Sequence, residues 1–301
     1  MMVSGKTGSS GLDPSGRNNS IGMSGYAAVI ACGVLACLLV MPVLKHWYKT
    51  FTATESYYSH GLLIPFLCAA IIWMNRKNLS LFQVNPSAWG YLVVIPSLIA
   101  VVVGIWVPAL SITGLFIPIL LWGMALLLLG TQIARGLLFP AIYMYFMCPL
   151  PSFMLAPISF KIRVLSTLGA TAMLKSLSFH VVQLGTMITL PNGVIVSVES
   201  PCSGFRFLIS LFALAVLYAY VTDGPKWGKI ALVSLMLPLS VILNGFRIMT
   251  VAVVGNYWGS DTMVSFHDNW AGLIMMLLGF VSLYLFSRLF KCGGFNSTLS
   301  F

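Results

Sequence analysis

Charged side chains are what this sequence has least of. Asp, Glu, Lys and Arg make up 7% of the 301 residues, whereas soluble globular proteins carry about 25%. Hydrophobic residues make up 59%, and the mean hydropathy is +0.96. One buried core cannot hold so much apolar surface, so most of it must face lipid. The composition excludes an ordinary soluble protein and predicts a single all-α polytopic membrane domain.

Acidic residues are especially scarce, and this shapes the expected partners. Six Asp and Glu stand against sixteen Lys and Arg, which leaves a net charge of +10. In a soluble protein such a balance would indicate a nucleic-acid partner. Here the basic residues stand singly or in pairs between apolar runs, as in loops that set membrane topology. We therefore expect contact with membrane lipid and no nucleic-acid partner.

Motifs for metals and cofactors are missing as well. The six cysteines contain no CxxC pair, and the four histidines form no HExxH. There is also no phosphate loop and no dinucleotide fingerprint. We expect no cofactor and no metal site, and we expect most cysteines to be small buried or lipid-facing residues.

Apolar runs divide the chain into about eight candidate membrane-spanning helices. Residues 1–24 are mostly Gly, Ser and Asn, which predicts a disordered tail. The integral domain would occupy 25–292, and 293–301 would form a second short tail. The eight runs are 26–44, 61–73, 90–107, 108–129, 136–155, 205–221, 230–254 and 270–290.

The distribution of Lys and Arg orients these spans. Most of them fall on the cytoplasmic side if both termini are cytoplasmic. The last outer loop, 259–268, then carries two Asp and no Lys or Arg. The stretch 156–177 holds three basic residues that would fall outside, and we expect it to lie along the outer interface of the plasma (inner) membrane.

A β-hairpin is expected between that stretch and the sixth span. Pro191-Asn192-Gly193 separates two β-branched runs, which is a hairpin signal. A hairpin can lie outside the bilayer but cannot lie unpaired in its core. This extracytoplasmic hairpin would place Cys202 at the outer end of the next helix.

Five polar residues are expected at that same depth. Arg206 follows Cys202 by one helical turn. Arg247 lies about 27 Å along its helix from the cytoplasmic end, with Asn244 one turn earlier, and His267 lies in the outer loop. Each has a simpler interpretation: a structural cysteine, a snorkelling arginine or a solvated histidine. Arg247 is the hardest to explain in that way, because an arginine within the membrane costs at least ~2.5 kcal/mol.

These residue types suit acyl transfer through a cysteine. The Cys202 thiol becomes nucleophilic as the thiolate, which a nearby cation and a helix N-terminus favour. His267 would be the general base and then the acid, and Arg247 would stabilise an oxyanion. Arg206 and Glu199 would support the thiol. The predicted chemistry is thioester formation with a peptide, followed by transfer or hydrolysis.

Four stretches of the sequence resemble the exosortase/archaeosortase family of membrane cysteine transpeptidases. They are "ESPCSGFRF", "NGFRI", the histidine before the last span and the early "YSHGLLIP". The resemblance covers roughly residues 50–290. It implies Cys202 as nucleophile, with Arg247 and His267 as the other catalytic residues. It also implies secreted substrates with a C-terminal sorting tail of the PEP-CTERM type, an acceptor, and a link to exopolysaccharide production.

The sequence leaves open two other functions for the protein and the role of one residue, His60. Arg206 and Arg247 could bind the anionic substrate of a transporter, although no internal repeat is visible. A non-catalytic assembly factor for exopolysaccharide export would not need the thiol. His60, in "YYSHG", could be a second base, a substrate contact or a structural hydrogen-bonding group.

Overall fold

The structure, a computed structural model, describes residues 23–53, 56–107, 109–198, 204–294 and 296, with side chains from residue 38 onward. Glu199, Cys202 and most of both predicted tails lie outside these residues. The chain divides at Pro42 into two compact units, and the first contributes the N-terminal part of α1. The helices are α1 Met23–Thr52, α2 Ile64–Met74, α3 Arg76–Ser80, α4 Trp89–Trp106, α5 Leu110–Leu129, α6 Thr131–Gly136, α7 Leu138–Tyr143, α8 Ser152–Ser176, α9 Phe205–Val221, α10 Lys226–Phe266 and α11 Gly272–Leu289.

The helices confirm a mostly α-helical membrane protein. Four described stretches are long and apolar enough to cross a membrane: α4, α5, α8 and the continuous helical segment Lys226–Leu289. Three shorter apolar stretches are Ser59–Met74, Leu138–Met147 and Phe205–Val221. The expected run 205–221 coincides with α9. The count of eight spans stays a prediction.

The boundary that we expected at residue 155 is wrong. The run 136–155 is divided into α7, a 3-10 turn at Met144–Met147 and an extended residue, Cys148. Pro149 and Pro151 explain this division, because proline lacks an N–H and disfavours the helical conformation in the residue before it. A single helix, α8, follows over Ser152–Ser176 and packs along α10. By length and composition it can cross a membrane, which differs from the interfacial position that we expected.

The prediction of a loop at 259–268 is also wrong, because most of this segment is helical. α10 breaks at Gly259, whose φ of 84° is a conformation that glycine adopts readily. The chain then resumes a helix up to Phe266 and passes through a π-helical turn, His267–Ala271, into α11. His267 therefore lies on a helical turn of a kind that often occurs at functional sites.

The expected hairpin is confirmed and gains a third strand. Strands β1 Val182–Leu184, β2 Met187–Thr189 and β3 Ile195–Ser197 form an antiparallel sheet in that order. Gly185 divides the first β-branched run into two strands with a φ of 61°. At the tip of the second turn, the Asn192 side-chain amide donates to the carbonyl oxygens of Gly255 and Asn256 at 3.0 and 3.1 Å. These bonds fasten the hairpin to α10.

α9, α10 and α11 form a bundle with two distinct ends. They pack around a shared apolar core that includes Leu211, Leu232 and Leu283. At one end, the N–H of Gly293 donates to the carbonyl oxygen of Asp223 at 3.0 Å, close to the link between α9 and α10. The start of α9, the later part of α10 and the sheet lie at the other end. Those expected site residues of α9, α10 and the turn after it that the structure describes, Arg206, Asn244, Arg247 and His267, occur at this second end.

Candidate active site

The best-defined contact at this end joins an arginine to a histidine. Arg247 lies on α10, and His267 begins the π-helical turn after it. Nη2 of Arg247 lies 2.8 Å from Nε2 of His267, and both side chains are partly buried. The break at Gly259 turns the chain so that the π-helical turn comes back against α10. The structure thus brings into contact two residues that the sequence places only near the same depth.

This contact determines which nitrogen of His267 carries the proton. A guanidinium can only donate hydrogen bonds, so Nε2 must accept from Arg247. The proton of the neutral ring then resides on Nδ1. Nδ1 lies 2.8 Å from Oδ1 of Asp268, which accepts it. The bonds run from Arg247 through a neutral imidazole to a carboxylate, and this orients the ring from both sides.

Asp268 is a residue that the sequence reasoning did not select. In the sequence it is one of the two acidic residues of the segment 259–268. Its side chain is 64% exposed, compared with 27% for His267, so the ring is enclosed more than its carboxylate partner. The one available signal was its position directly after a candidate base, and the π-helical turn that brings the two side chains together leaves no recognisable pattern in the sequence.

Asn244 packs against Gly204, the residue directly before α9. Its side chain is 2% exposed and lies one turn before Arg247 on α10. Gly204, the N-cap of α9, has a φ of 72°, and a Cβ atom at this position would overlap the Asn244 side chain. Position 204 thus requires glycine for two reasons: its backbone conformation and its lack of a side chain. This close contact joins the described end of the "PCSG" segment to α10.

Arg206 and His60 are connected through Ser210. Ser210 lies one turn after Arg206 on α9 and donates to its carbonyl oxygen at 2.9 Å. The same hydroxyl lies 3.2 Å from Nδ1 of His60, and Nε2 of His60 lies 3.1 Å from the carbonyl oxygen of Phe146. His60 therefore holds the 3-10 turn Ser59–Leu62 against α9. It also lines an otherwise largely apolar cavity with Ser210 and Phe207, so both a structural and a substrate-facing role fit its position.

Tyr57 is a further neighbour that the sequence reasoning did not select. Its ring meets that of Phe205 edge to face, with 5.5 Å between the centroids. Its hydroxyl lies 3.2 Å from the Ser159 hydroxyl on α8. This residue places the early "YYSHG" stretch beside the first turn of α9. Its position in that stretch was the available signal, since the resemblance already included the neighbouring residues.

Glu199 and Cys202, the proposed support and nucleophile, lie outside the described residues. Four of the other expected site residues do gather at one end of the α9–α10–α11 bundle. Arg247 and His267 are bonded directly, and Asn244 contacts Gly204. Arg206 occupies the first turn of α9, and its backbone carbonyl oxygen is connected to His60 through the Ser210 hydroxyl.

The family comparison covers this whole region. A family profile described as transmembrane exosortase (Exosortase_EpsH) matches residues 47–285 of the chain. No curated protein and no solved structure matches. The matched range includes all the residues of the candidate site and the two that lie outside the described part.

Proposed function

The chain belongs to the transmembrane exosortase family, and from this premise we propose that it is a membrane-embedded cysteine transpeptidase. Membership implies a sorting role in general terms. We propose in addition that the protein cleaves the C-terminal sorting tails of secreted proteins through a Cys202 thioester and transfers the new carboxyl end to an acceptor. The observation that carries this proposal is the hydrogen-bonded series Arg247, His267 and Asp268.

Chain connectivity supports Cys202 as the nucleophile of this series. Cys202 precedes Gly204 by two residues, so their Cα atoms lie within about 7.6 Å of each other. Gly204 in turn contacts Asn244, one turn from Arg247. A thiol at this position would have the positive end of the α9 dipole close by, which favours the thiolate. We assign Arg206 and Glu199 as its supporting residues.

The first chemical step uses His267 as a base. Its Nε2 lone pair is held by Arg247 in the resting state and becomes available when Arg247 moves to the substrate carbonyl. His267 then takes the thiol proton at Nε2, while Nδ1 keeps its bond to Asp268. The sulfur attacks the scissile carbonyl carbon, and Arg247 stabilises the oxyanion. The C–N bond breaks, and His267 returns its proton to the leaving amine.

Proton transfer and arginine release are coupled in this scheme. A protonated imidazole has no acceptor nitrogen, so it cannot keep the bond from Arg247. Two cations at a distance of 2.8 Å would also repel each other. Protonation of His267 therefore prevents Arg247 from returning while the oxyanion needs it. The second step repeats the cycle, with the acceptor attacking the thioester and the thiolate leaving.

The membrane topology that we propose is based on the distribution of Lys and Arg along the sequence. We propose eight spans, both termini in the cytoplasm and the active site at the extracytoplasmic face of the plasma (inner) membrane. The tails 1–24 and 293–301 would be cytoplasmic, and 25–292 would be the single integral domain. In this orientation the site meets substrates after their export.

Co-expression with a secreted reporter tests the function. The reporter carries a sorting tail encoded in the same genome, and its size is followed by blot. We expect a shift with the wild type and with Cys68→Ala, which removes a buried thiol on α2, and no shift with Cys202→Ala. Identical bands for the wild type and Cys202→Ala, with both proteins present in the membrane, would contradict a thiol-dependent enzyme.

A further inference from the structure

The small sheet is apolar on both of its faces. In an antiparallel pair, residues directly opposite each other lie on the same face. The register places Gln183, Ile188 and Val196 on one face, where Ile188 and Val196 are buried against α8 and α10. The opposite face, which we call the outer face, carries four large apolar side chains that are 50–76% exposed: Val182, Leu184, Met187 and Ile195.

An antiparallel sheet with one face in water normally alternates apolar and polar residues. Here Thr189 and Ser197 are the polar residues of the outer face, and neither is charged. The whole stretch 176–198 contains no Asp, Glu, Lys or Arg. The part of it outside the helices, 177–198, is 22 residues long. A segment of this length that avoids charge is typical of contact with an apolar medium, not of exposure to bulk water.

Aromatic residues on α10 lie next to this sheet. The hairpin tip is bonded to the backbone at Gly255 and Asn256, directly before Tyr257 and Trp258. The two aromatic side chains are 66% and 65% exposed. Tyr257 also meets Phe179, two residues beyond the cap of α8, edge to face at 6.1 Å. Exposed Trp and Tyr at the end of an apolar helix are typical of the membrane–water interface.

We propose that the outer face of the sheet rests on the lipid bilayer at the interface, on the side of the candidate active site. The sheet is held between α8 and α10, two helices that are able to cross a membrane. Its outer face therefore continues a lipid-facing surface. Four side chains are too few for a stable protein partner, since such interfaces bury about 1,200–2,000 Å² in total.

This contact has a consequence for the site. With the sheet at the interface, the end of β3 at Ser197 would lie there too, five residues before Cys202 in the sequence. The inference goes beyond the proposed function and stands without it, because it depends on the register and exposure of the sheet, on the absence of charge and on the neighbouring aromatic residues.

Photo-crosslinking of the full chain in nanodiscs of phosphatidylcholine and phosphatidylglycerol tests the proposal. p-Benzoylphenylalanine replaces Leu184 on the outer face or, as the matched control, its neighbour Gln183 on the opposite face. Leu92 on α4, which is 66% exposed, gives the reference level of lipid labelling. We expect lipid adducts at Leu184 within a few-fold of those at Leu92 and at least fivefold above those at Gln183.

Three results would overturn the proposal. One is the absence of lipid adducts at Leu184, and another is equal labelling at Leu184 and Gln183. The third is a crosslinked product of twice the chain mass from Leu184, which would mean that a second copy of this chain covers the face. A second probe at Ile195, on the same face but on β3, guards against a local effect of the first substitution.

Discussion

Arg247 and His267 lie twenty residues apart in the sequence and are joined by a hydrogen bond of 2.8 Å. The bond requires an unprotonated Nε2, and Asp268 holds the proton on the opposite nitrogen. The resting state is thus a neutral histidine with an arginine on its reactive nitrogen.

Arg247→Lys should reduce processing severely although it keeps the charge. Lysine lacks the planar set of donors that can bond first to His267 and then to an oxyanion. The loss of one oxyanion donor costs roughly 10²–10³-fold in rate. Reporter processing in membranes measures the effect, with Arg288→Lys on the exposed end of α11 as the matched control. If Arg247→Lys processed the reporter at the wild-type rate, the proposed role of the guanidinium would be contradicted.

Asp268 should act as a positioning residue for His267. Asp268→Asn keeps an oxygen that can accept from Nδ1, whereas Asp268→Ala does not. Because the carboxylate is largely exposed, we expect a loss on the order of tenfold for alanine, and most of the rate retained for asparagine. The effect should fall on the maximal processing rate, with half-saturation by the reporter unchanged. Equal activity of both variants and the wild type would contradict this role.

Gly204→Ala should disturb the start of α9 more than its backbone conformation alone explains. A left-handed alanine costs roughly 1–2 kcal/mol, and the new methyl group would also overlap Asn244. Gly185→Ala is the matched control, because its φ is 61° and nothing lies within 4 Å of the added atom. Thermal unfolding in nanodiscs should show the larger decrease for Gly204→Ala, together with lost processing. Equal decreases would mean that the Asn244 contact has no effect.

Ser210→Ala tests whether His60 is structural. The change removes the hydroxyl next to Nδ1 of His60 but leaves the ring in place. A lost hydrogen bond of this type costs about 1 kcal/mol, so the melting temperature should fall by a few degrees and processing should stay within about threefold. If Ser210→Ala or His60→Ala lost processing while its stability was unchanged, His60 would instead take part in the chemistry.

Much of the site region could be predicted from local signals. Polar and turn-forming residues flank α9, and its bounds follow from them. The Pro191-Asn192-Gly193 turn predicts the hairpin through the backbone requirements of its residues. The expectation that Arg247 lies near the depth of His267 needed only the length of a helix per residue.

The errors came from contacts between distant segments. Basic residues within α8 made it resemble an interfacial stretch, although it packs along α10 as one long helix. The segment after Gly259 resembled a polar loop, because its helical form depends on a glycine break and a π-helical turn. Asp268 was missed for the same reason, since its partner is identified only by the geometry of that turn.

Interception of the thioester tests the central claim most directly. The purified chain in nanodiscs is incubated with the tailed reporter and hydroxylamine, and mass spectrometry identifies the new C-terminus of the reporter. A Cys202 thioester reacts with hydroxylamine to give a hydroxamate and the free thiol. The account predicts a hydroxamate with the wild type, none with Cys202→Ala and an undiminished yield with Cys68→Ala. Continued cleavage of the reporter by Cys202→Ala would contradict it.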